Sequence, residues 1–572
     1  MKSMLDTSYG LRRHGRSIGI LKLRRVASAA LALGTAILLT VCTIVGPKAG
    51  ENGSVVSPTA PMSVSMLPET TLSNDERLLT QSGAALEGLA QPSQGGWAYE
   101  SQIQGGNDQT DRDVGAASVG MGFLALADRY PAGSHQWLTD AQHVATWLIA
   151  VSHTDSNGGI WWKDYVDDPN QSNSQISTYT SFDDGSLGIG DFFWRLYEKT
   201  NNPQYKTFAL GSVTWTLSQA DTVGTAYGTG YRWIWDTTTR NNSFNDPNAP
   251  PAHYMGMGMG VVGIINTLAT YYQRTSNSDP VFAKQCLQYM QGALNYLQSV
   301  RDTLGSAQQG GDSSALPETG DLGQTGDTVE NSGYLSGAAG AAYMYLNLYQ
   351  IFGNRQYLTQ AEGLLSWLTS SGGPEANVQT GIAWHIATDP QDSGNQDNAQ
   401  VATGFEEGSA GIGWTFLQAY NVTGNAQYLT VARDAADWLL SPSVVVSDGH
   451  GGYSWPEDYN PTSPYIRPNL DNGAAGIGMF LYDLYAVTKD STYLDAAQEA
   501  ATWLDNTAIH RTQGAATIAL WKDNDEGNIF TGDPSWHWGD AGVADFLARL
   551  TGPTNETLDI PGEQPGLIGA RH

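Results

Sequence analysis

The stretch Phe405-Glu-Glu-Gly-Ser-Ala-Gly-Ile-Gly413 returns as Leu470-Asp-Asn-Gly-Ala-Ala-Gly-Ile-Gly478 and, earlier, as Phe182-Asp-Asp-Gly-Ser-Leu-Gly-Ile-Gly190. Weaker copies open at Gly115, Gly258, Gly337 and Gly539. Self-similarity of this kind marks a repeat architecture, so the repeat is read before any single element. Each glycine-rich start leads into an apolar stretch such as Met479 to Val487, a turn such as Thr423-Gly-Asn425, and a second stretch with its own signature. There Tyr428-Leu429 is followed ten residues on by Trp438-Leu439, and Tyr493-Leu494 by Trp503-Leu504, with Tyr357 and Trp367 repeating the spacing. Apolar residues between these pairs recur at helical intervals, which predicts amphipathic helices burying one face. An aromatic loop follows, holding Trp97, Trp161-Trp162, Trp233 and Trp235, Trp384, Trp455 or Trp521.

The unit is thus a helical hairpin with an elaborated return, roughly 65 to 77 residues long. The ends of the array decide its shape. It finishes on an isolated first helix, Trp538 to Leu550, and begins with an isolated second helix, Asn74 to Leu89. Pairing them makes a seventh hairpin and closes a ring, which leaves no exposed end to cap. The expected fold is all-α, an (α/α)7 toroid over residues 68–553. All first helices run the same way inside it, so every glycine-rich start and tryptophan loop lies on one face, with the positive ends of the inner-helix dipoles.

The 572 residues carry 57 acidic against 28 basic side chains, a net charge of −29. Such a surface repels polyanions, so nucleic acid is not an expected partner. The two cysteines, Cys42 and Cys286, build neither a disulfide framework nor a multi-cysteine zinc site. Lys2, Arg12, Arg13, Arg16, Lys22, Arg24 and Arg25 precede an uncharged run from Val26 to Val45. That order predicts a cytoplasmic start and a membrane-spanning anchor, or a cleaved signal peptide, over residues 1–45, with the rest at the cell surface or secreted. Residues 46–67, rich in Ser, Pro and Gly, read as a solvated linker, and 554–572 as a C-terminal tail.

Two residues before the first glycine of the clear units stand Asp183, Glu406, Asp471 and His537, and one residue before it Asp184, Glu407, Asn472 and Trp538. If the repeats superpose, these side chains converge on one axial mouth, with Asp111, Asp113 and Asp540 nearby. Acidic residues at such places also serve as helix N-caps. Doubled carboxyls at Asp183-Asp184 and Glu406-Glu407 exceed what capping needs and raise one pKa beside another, giving a candidate acid and a candidate base. Loop tryptophans fill space between hairpins, and they also stack sugar rings. His537, alone between two tryptophans, suits a structural role or proton transfer.

The Gly-x-Ala-Gly-Ile-Gly starts, with Tyr-Leu and Trp-Leu on the second helix, resemble the lanthionine synthetase C-like superfamily over nearly the whole chain after residue 68. That resemblance implies a seven-hairpin toroid and, in its cyclases, a zinc held by a Trp-Cys-x-Gly start, a Cys-His-Gly start and an upstream histidine. Trp536-His-Trp-Gly539 resembles the first motif with His537 in place of the cysteine, no Cys-His-Gly occurs, and the next start reads Asp113-Val-Gly115. Zinc-activated thiol addition is therefore not expected. A different ion on Asp471, Glu406 and His537 is compatible with the residue types, yet no metal and no cofactor is assigned. The mouth is also similar in architecture to glycosidases built on six-hairpin (α/α) barrels.

The expectation is a carbohydrate-active enzyme of glycoside hydrolase type. Asp184 and Glu407, or Asp183, Glu406 and Asp471 in their place, act as acid and base, and Trp162, Trp235, Trp455, His537 and Trp538 hold the substrate. The alternatives are a peptide-modifying protein with an altered metal site and a non-catalytic ring that binds glycan or peptide. Oligomeric state is not legible.

Overall fold

A computed structural model describes residues 73–552 except 102–106, 130–136, 167–175, 239–252, 307–311, 321–328, 372, 389–399, 460–464, 515 and 526–527. The segments assigned to 1–45, 46–67 and 554–572 lie outside the described residues. Among the described residues are fourteen helices: α1 (Asn74–Leu89), α2 (Ala116–Arg129), α3 (Trp137–Val151), α4 (Ser186–Thr200), α5 (Pro203–Ser218), α6 (Val261–Thr275) and α7 (Pro280–Leu304), then α8 (Ala338–Phe352), α9 (Arg355–Leu368), α10 (Ser409–Thr423), α11 (Ala426–Leu439), α12 (Ala474–Thr488), α13 (Ser491–Thr507) and α14 (Asp540–Thr551). The strands among them form eight two-stranded ribbons, with isolated bridges such as Tyr179 to Asp236 and His385 to Val401 between loops.

The helices pack as hairpins α2/α3, α4/α5, α6/α7, α8/α9, α10/α11 and α12/α13, and α14 packs on α1 to make the seventh. The expected all-α toroid, closed by its own two end helices, is the observed fold. Inner helices touch their inner neighbours round the ring, α14 meeting both α12 and α2. Between α4 and α6 the contact is carried by Arg274 on Asp191 at 3.3 Å and Trp194 edge-on to Tyr271. At the seam, Arg77 of α1 pairs with Asp505 of α13 at 2.8 Å, and Arg129 of α2 pairs with Glu76 of α1 at 2.7 Å.

Patterning explains which helix lies where. Along α12 every residue from Ala474 to Leu484 is buried, as an inner helix covered all round requires. In α11 burial is limited to Ala432, Ala435, Ala436, Trp438 and Leu439, a one-sided stripe.

In six of the seven starts a second glycine is fixed by a close backbone approach, the start at Gly115 having Ser118 there. A Cβ on Gly411 would stand 1.9 Å from the Phe405 carbonyl oxygen, and one on Gly476 1.8 Å from that of Leu470. At those six a side chain would block the tight fold-back of the chain before the helix. One start departs from the sequence reading. The copy expected to open at Gly258 caps its helix with Gly260, because Met257-Gly-Met-Gly260 offers two glycines and Gly258 sits at the ring axis instead.

Candidate functional site at the ring axis

The residue two before each N-cap glycine hands its carbonyl oxygen to the preceding repeat. Phe182 and Asp183 donate their backbone N–H groups to Gly258, Met257 and Gly258 to Leu335, Tyr334 and Leu335 to Glu406, Phe405 and Glu406 to Asp471, and Leu470 and Asp471 to His537. Arg112 donates to Asp183 in the same way, and at the seam Trp536 N–H donates instead to Ser118 Oγ at 3.2 Å. This girdle puts Asp113, Asp183, Gly258, Leu335, Glu406, Asp471 and His537 in equivalent positions round the axis. Five successive positions carry ionisable groups, and Gly258 and Leu335 leave the opposite side without any.

The N-cap positions of α4, α10 and α12 are held by Gly185, Gly408 and Gly473, so Asp183, Glu406 and Asp471 stand two residues before the cap rather than at it. Asp111 does turn inward, its Oδ1 accepting from Val114 and Gly115 N–H. Asp540 accepts from Trp521 N–H at 3.2 Å and thus braces a loop.

His537 lies at the centre of the acidic arc. Its Nδ1 is 2.6 Å from Asp471 Oδ1 and 3.9 Å from Asp113 Oδ1, and its Nε2 is 3.9 Å from Asp183 Oδ1. Burial pushes the imidazole down to about 4, against the pull of Asp183. Asp183 Oδ1 also faces Arg112 Nη1 at 3.5 Å. Burial, and then the charges of Asp184, Asp471, Asp111 and Asp183, hold the Asp113 carboxyl well above the usual carboxylate range. Glu406 is raised by burial and then by Asp471, with Asn472 Nδ2 donating to its Oε2 at 3.2 Å. Glu407 is raised by burial and then by Glu406. Asp184 Oδ2 accepts the Trp235 indole N–H at 2.9 Å.

Of the expected catalytic residues, Asp183, Glu406 and Asp471 are brought together round His537, Asp184 lies against Asp113 beside them, and Glu407 lies next to Glu406 and is hydrogen-bonded to Ser336. The expected sugar platforms are not open faces. Trp162 and Trp455 are fully buried, and their indole N–H groups donate to Leu148 O at 2.7 Å and Leu439 O at 2.8 Å. Trp233, Trp384 and Trp521 repeat this bond to Thr216, Leu368 and Leu504. These five loop tryptophans each satisfy a carbonyl near the end of the preceding outer helix, which is why the motif recurs. Trp235 is buried too, stacked on Tyr179 at 4.4 Å, so it positions Asp184 rather than offering a face. Trp538 is 9 % exposed, with the Arg467 guanidinium over its ring.

Arg112 was missed from sequence. It fills the slot held elsewhere by Phe182, Met257, Tyr334, Phe405, Leu470 and Trp536, and its guanidinium lies over the Phe182 and Trp536 rings at 4.4 and 5.3 Å. A charge in an otherwise apolar column was the available signal.

The thiolate set that the family resemblance implies is not here. Cys286, the one cysteine among the described residues, is buried in the outer helix α7. Three side chains at the axis do present metal-type donors, Asp113, Asp471 and His537, whose atoms lie within 4.8 Å of one another.

Residues 251–506 match the family described as lanthionine synthetase C-like protein. No curated protein matches the chain by sequence. Among solved structures, nisin cyclase is similar over 83 % of this chain and 92 % of its own, at 11 % identity and a TM-score of 0.46. A family 76 α-mannanase of Bacteroides thetaiotaomicron is similar over 84 % of this chain and 97 % of its own, at 14 % identity and 0.43. A D-mannose isomerase covers 69 % of this chain and 92 % of its own, at 15 % and 0.43. The stretch that matches the lanthionine synthetase C-like family, residues 251–506, runs from the hairpin of α6 and α7 to that of α12 and α13, and the remaining hairpins complete one toroid with it.

Proposed function

We propose that the ring is a carbohydrate-active enzyme of glycoside hydrolase type, with Glu407 as general acid and Asp184 as the partner base or nucleophile. One observation carries the reading: carboxyls raised above the usual range, Glu406 and Glu407, share the ring axis with further acids, Asp184 among them. Burial and mutual repulsion keep Glu406 and Glu407 protonated above the usual range, which suits donation to a leaving-group oxygen. Asp184 accepts the Trp235 indole N–H, which orients its carboxyl for activation of water or attack at the anomeric carbon. Asp183, Glu406 and Asp471 surround the pair as further carboxyls, and His537 and Trp538 border the same arc.

The test is turnover of a glycan panel by the full chain, read as new reducing ends. Glu407→Gln and Asp184→Asn should each lower kcat by about 100-fold or more while the fold holds. Absence of turnover on every glycan, or full rates in both variants, removes the reading.

The family match supports a second reading, a peptide bound at the same mouth. Mass spectrometry of peptides bearing both a thiol and a dehydrated residue tests it: cyclisation leaves mass unchanged and consumes the free thiol, and retention of the thiol speaks against it.

The basic start and the uncharged run from Val26 to Val45 support export, with the ring outside the membrane. Among the described residues no helix is long and apolar enough to cross a membrane, and the run itself lies outside them. Protease added to intact cells should degrade the ring; full protection would place it inside.

A further inference from the structure

We propose that Asp113, Asp471 and His537 form a binding site for a divalent transition-metal cation at the ring axis, with two carboxylate oxygens and one imidazole nitrogen as donors. The three residues hold successive girdle positions: a backbone hydrogen bond from Asp471 N–H to the His537 carbonyl joins two of them, and Trp536 N–H on Ser118 Oγ joins the His537 repeat to that of Asp113. His537 Nδ1 lies 2.6 Å from Asp471 Oδ1 and 3.9 Å from Asp113 Oδ1, and the three donor atoms fall within 4.8 Å. Donors sharing an ion at about 2.1 Å stand roughly 3 Å apart, so an inward move of Asp113 by about 1 Å completes the cradle.

An independent observation points the same way. The His537 side chain is only 8 % exposed, and neither of its ring nitrogens has a hydrogen-bond partner in acceptable geometry. A buried polar nitrogen left unbonded costs free energy that a ligand can offset. Its approach to Asp471 is close in distance but misaligned for a hydrogen bond, as two donors aimed at a common third atom would be.

The donor class selects the ion. One imidazole and two carboxylates suit Mn2+, Fe2+ or Zn2+, whereas Ca2+ and Mg2+ favour all-oxygen shells. Thiolate-held zinc, as the family's cyclases use, does not fit these residues; an oxygen-and-nitrogen site does. A cation here would polarise, or hold, an oxygen of whatever occupies the mouth. The inference stands apart from the glycan reading, since ion uptake is measured without substrate.

The full chain, stripped with a chelator, is titrated calorimetrically with Mn2+ and Zn2+ and, for comparison, Ca2+, with Tm followed in parallel. One Mn2+ or Zn2+ per chain and a raised Tm are expected. Asp113→Asn, Asp471→Asn and His537→Gln should each weaken binding by roughly tenfold or more, and Cys286→Ser should bind as the parent does. No uptake of either ion by the parent overturns the site, as does a folded His537→Gln variant that binds unchanged, and tighter Ca2+ than Mn2+ overturns the donor class. Should a variant fail to fold, electron paramagnetic resonance of the Mn2+-loaded parent reads the imidazole directly. Nitrogen hyperfine coupling is expected, and its absence overturns the assignment.

Discussion

At the scale of single residues, the axis is built from side chains whose value comes from their neighbours. Trp235 illustrates this: its ring is stacked and covered, and its indole N–H gives Asp184 a proton donor. Trp235→Phe keeps the stack and removes the donor that orients Asp184, so kcat should fall while KM changes little; an unchanged kcat would deny the positioning role. Gly258 is the second case, since a Cβ there would meet Asp183 Oδ2 at 2.2 Å and Leu335 Cδ1 at 2.7 Å. Gly258→Ala should cost about 1–3 kcal/mol by overpacking and displace Asp183, measurable by denaturant melts together with activity per folded molecule. Sequence made Asp183, Asp184, Glu406, Glu407, Asp471 and His537 legible because they sit at a fixed offset from a repeated glycine. It did not make Arg112 legible, since a lone arginine in an aromatic column shows only when every copy is aligned on the girdle. Nor did it separate Trp162 and Trp455 from platform residues, because burial is decided by the neighbouring outer helix.

At the scale of elements, the recurrent loop tryptophan is a device for ending helices. Trp455→Phe would leave the Leu439 carbonyl at the end of α11 without its indole donor and open a small gap, costing about 1–3 kcal/mol. Thermal denaturation should show that loss with activity per folded molecule intact, and a large loss of turnover would restore the binding role. Where α1 meets α3, Glu87 and Asp140 face each other out of water, with the Tyr99 phenol close by. Burial pushes Glu87 up to about 7, and burial and then the charge of Glu87 push Asp140 up to about 8. Both values lie above those of the unfolded chain, so the pair binds a proton more tightly when folded. Its stabilising contribution is full below the unfolded carboxylate range and is lost as pH rises through about 7 to 8. Tm should therefore fall between about pH 6 and about pH 9, and Glu87→Gln should flatten that fall. A parent Tm that rises over this interval would refute the shared proton. Helix bounds were readable from apolar spacing, with α1 matching its expected span and α14 starting two residues later than expected.

For the molecule as a whole, ring closure was legible because an unpaired helix stands at each end of the repeat array, and a ring removes both loose ends at once. The composition and the repeat said nothing of which side of the ring is charged; that asymmetry depends on Gly258 and Leu335 falling at equivalent girdle positions, one of them shifted from its expected start. A chain ended before α14 should lack the surface that covers Leu78, Leu79 and Leu86 of α1 and sediment as aggregate; a soluble monomer of unchanged Tm would contradict the seam. Closure also imposes a timetable. Ser82 donates to the Asp540 carbonyl across 458 positions of chain, so α1 waits on the ribosome for α14. At ordinary elongation rates that wait is on the order of half a minute to a minute and a half. Throughout it the nascent arc is an open horseshoe with a sticky outer prong, and a chaperone that shields α1 until synthesis ends would govern how much protein is made whole.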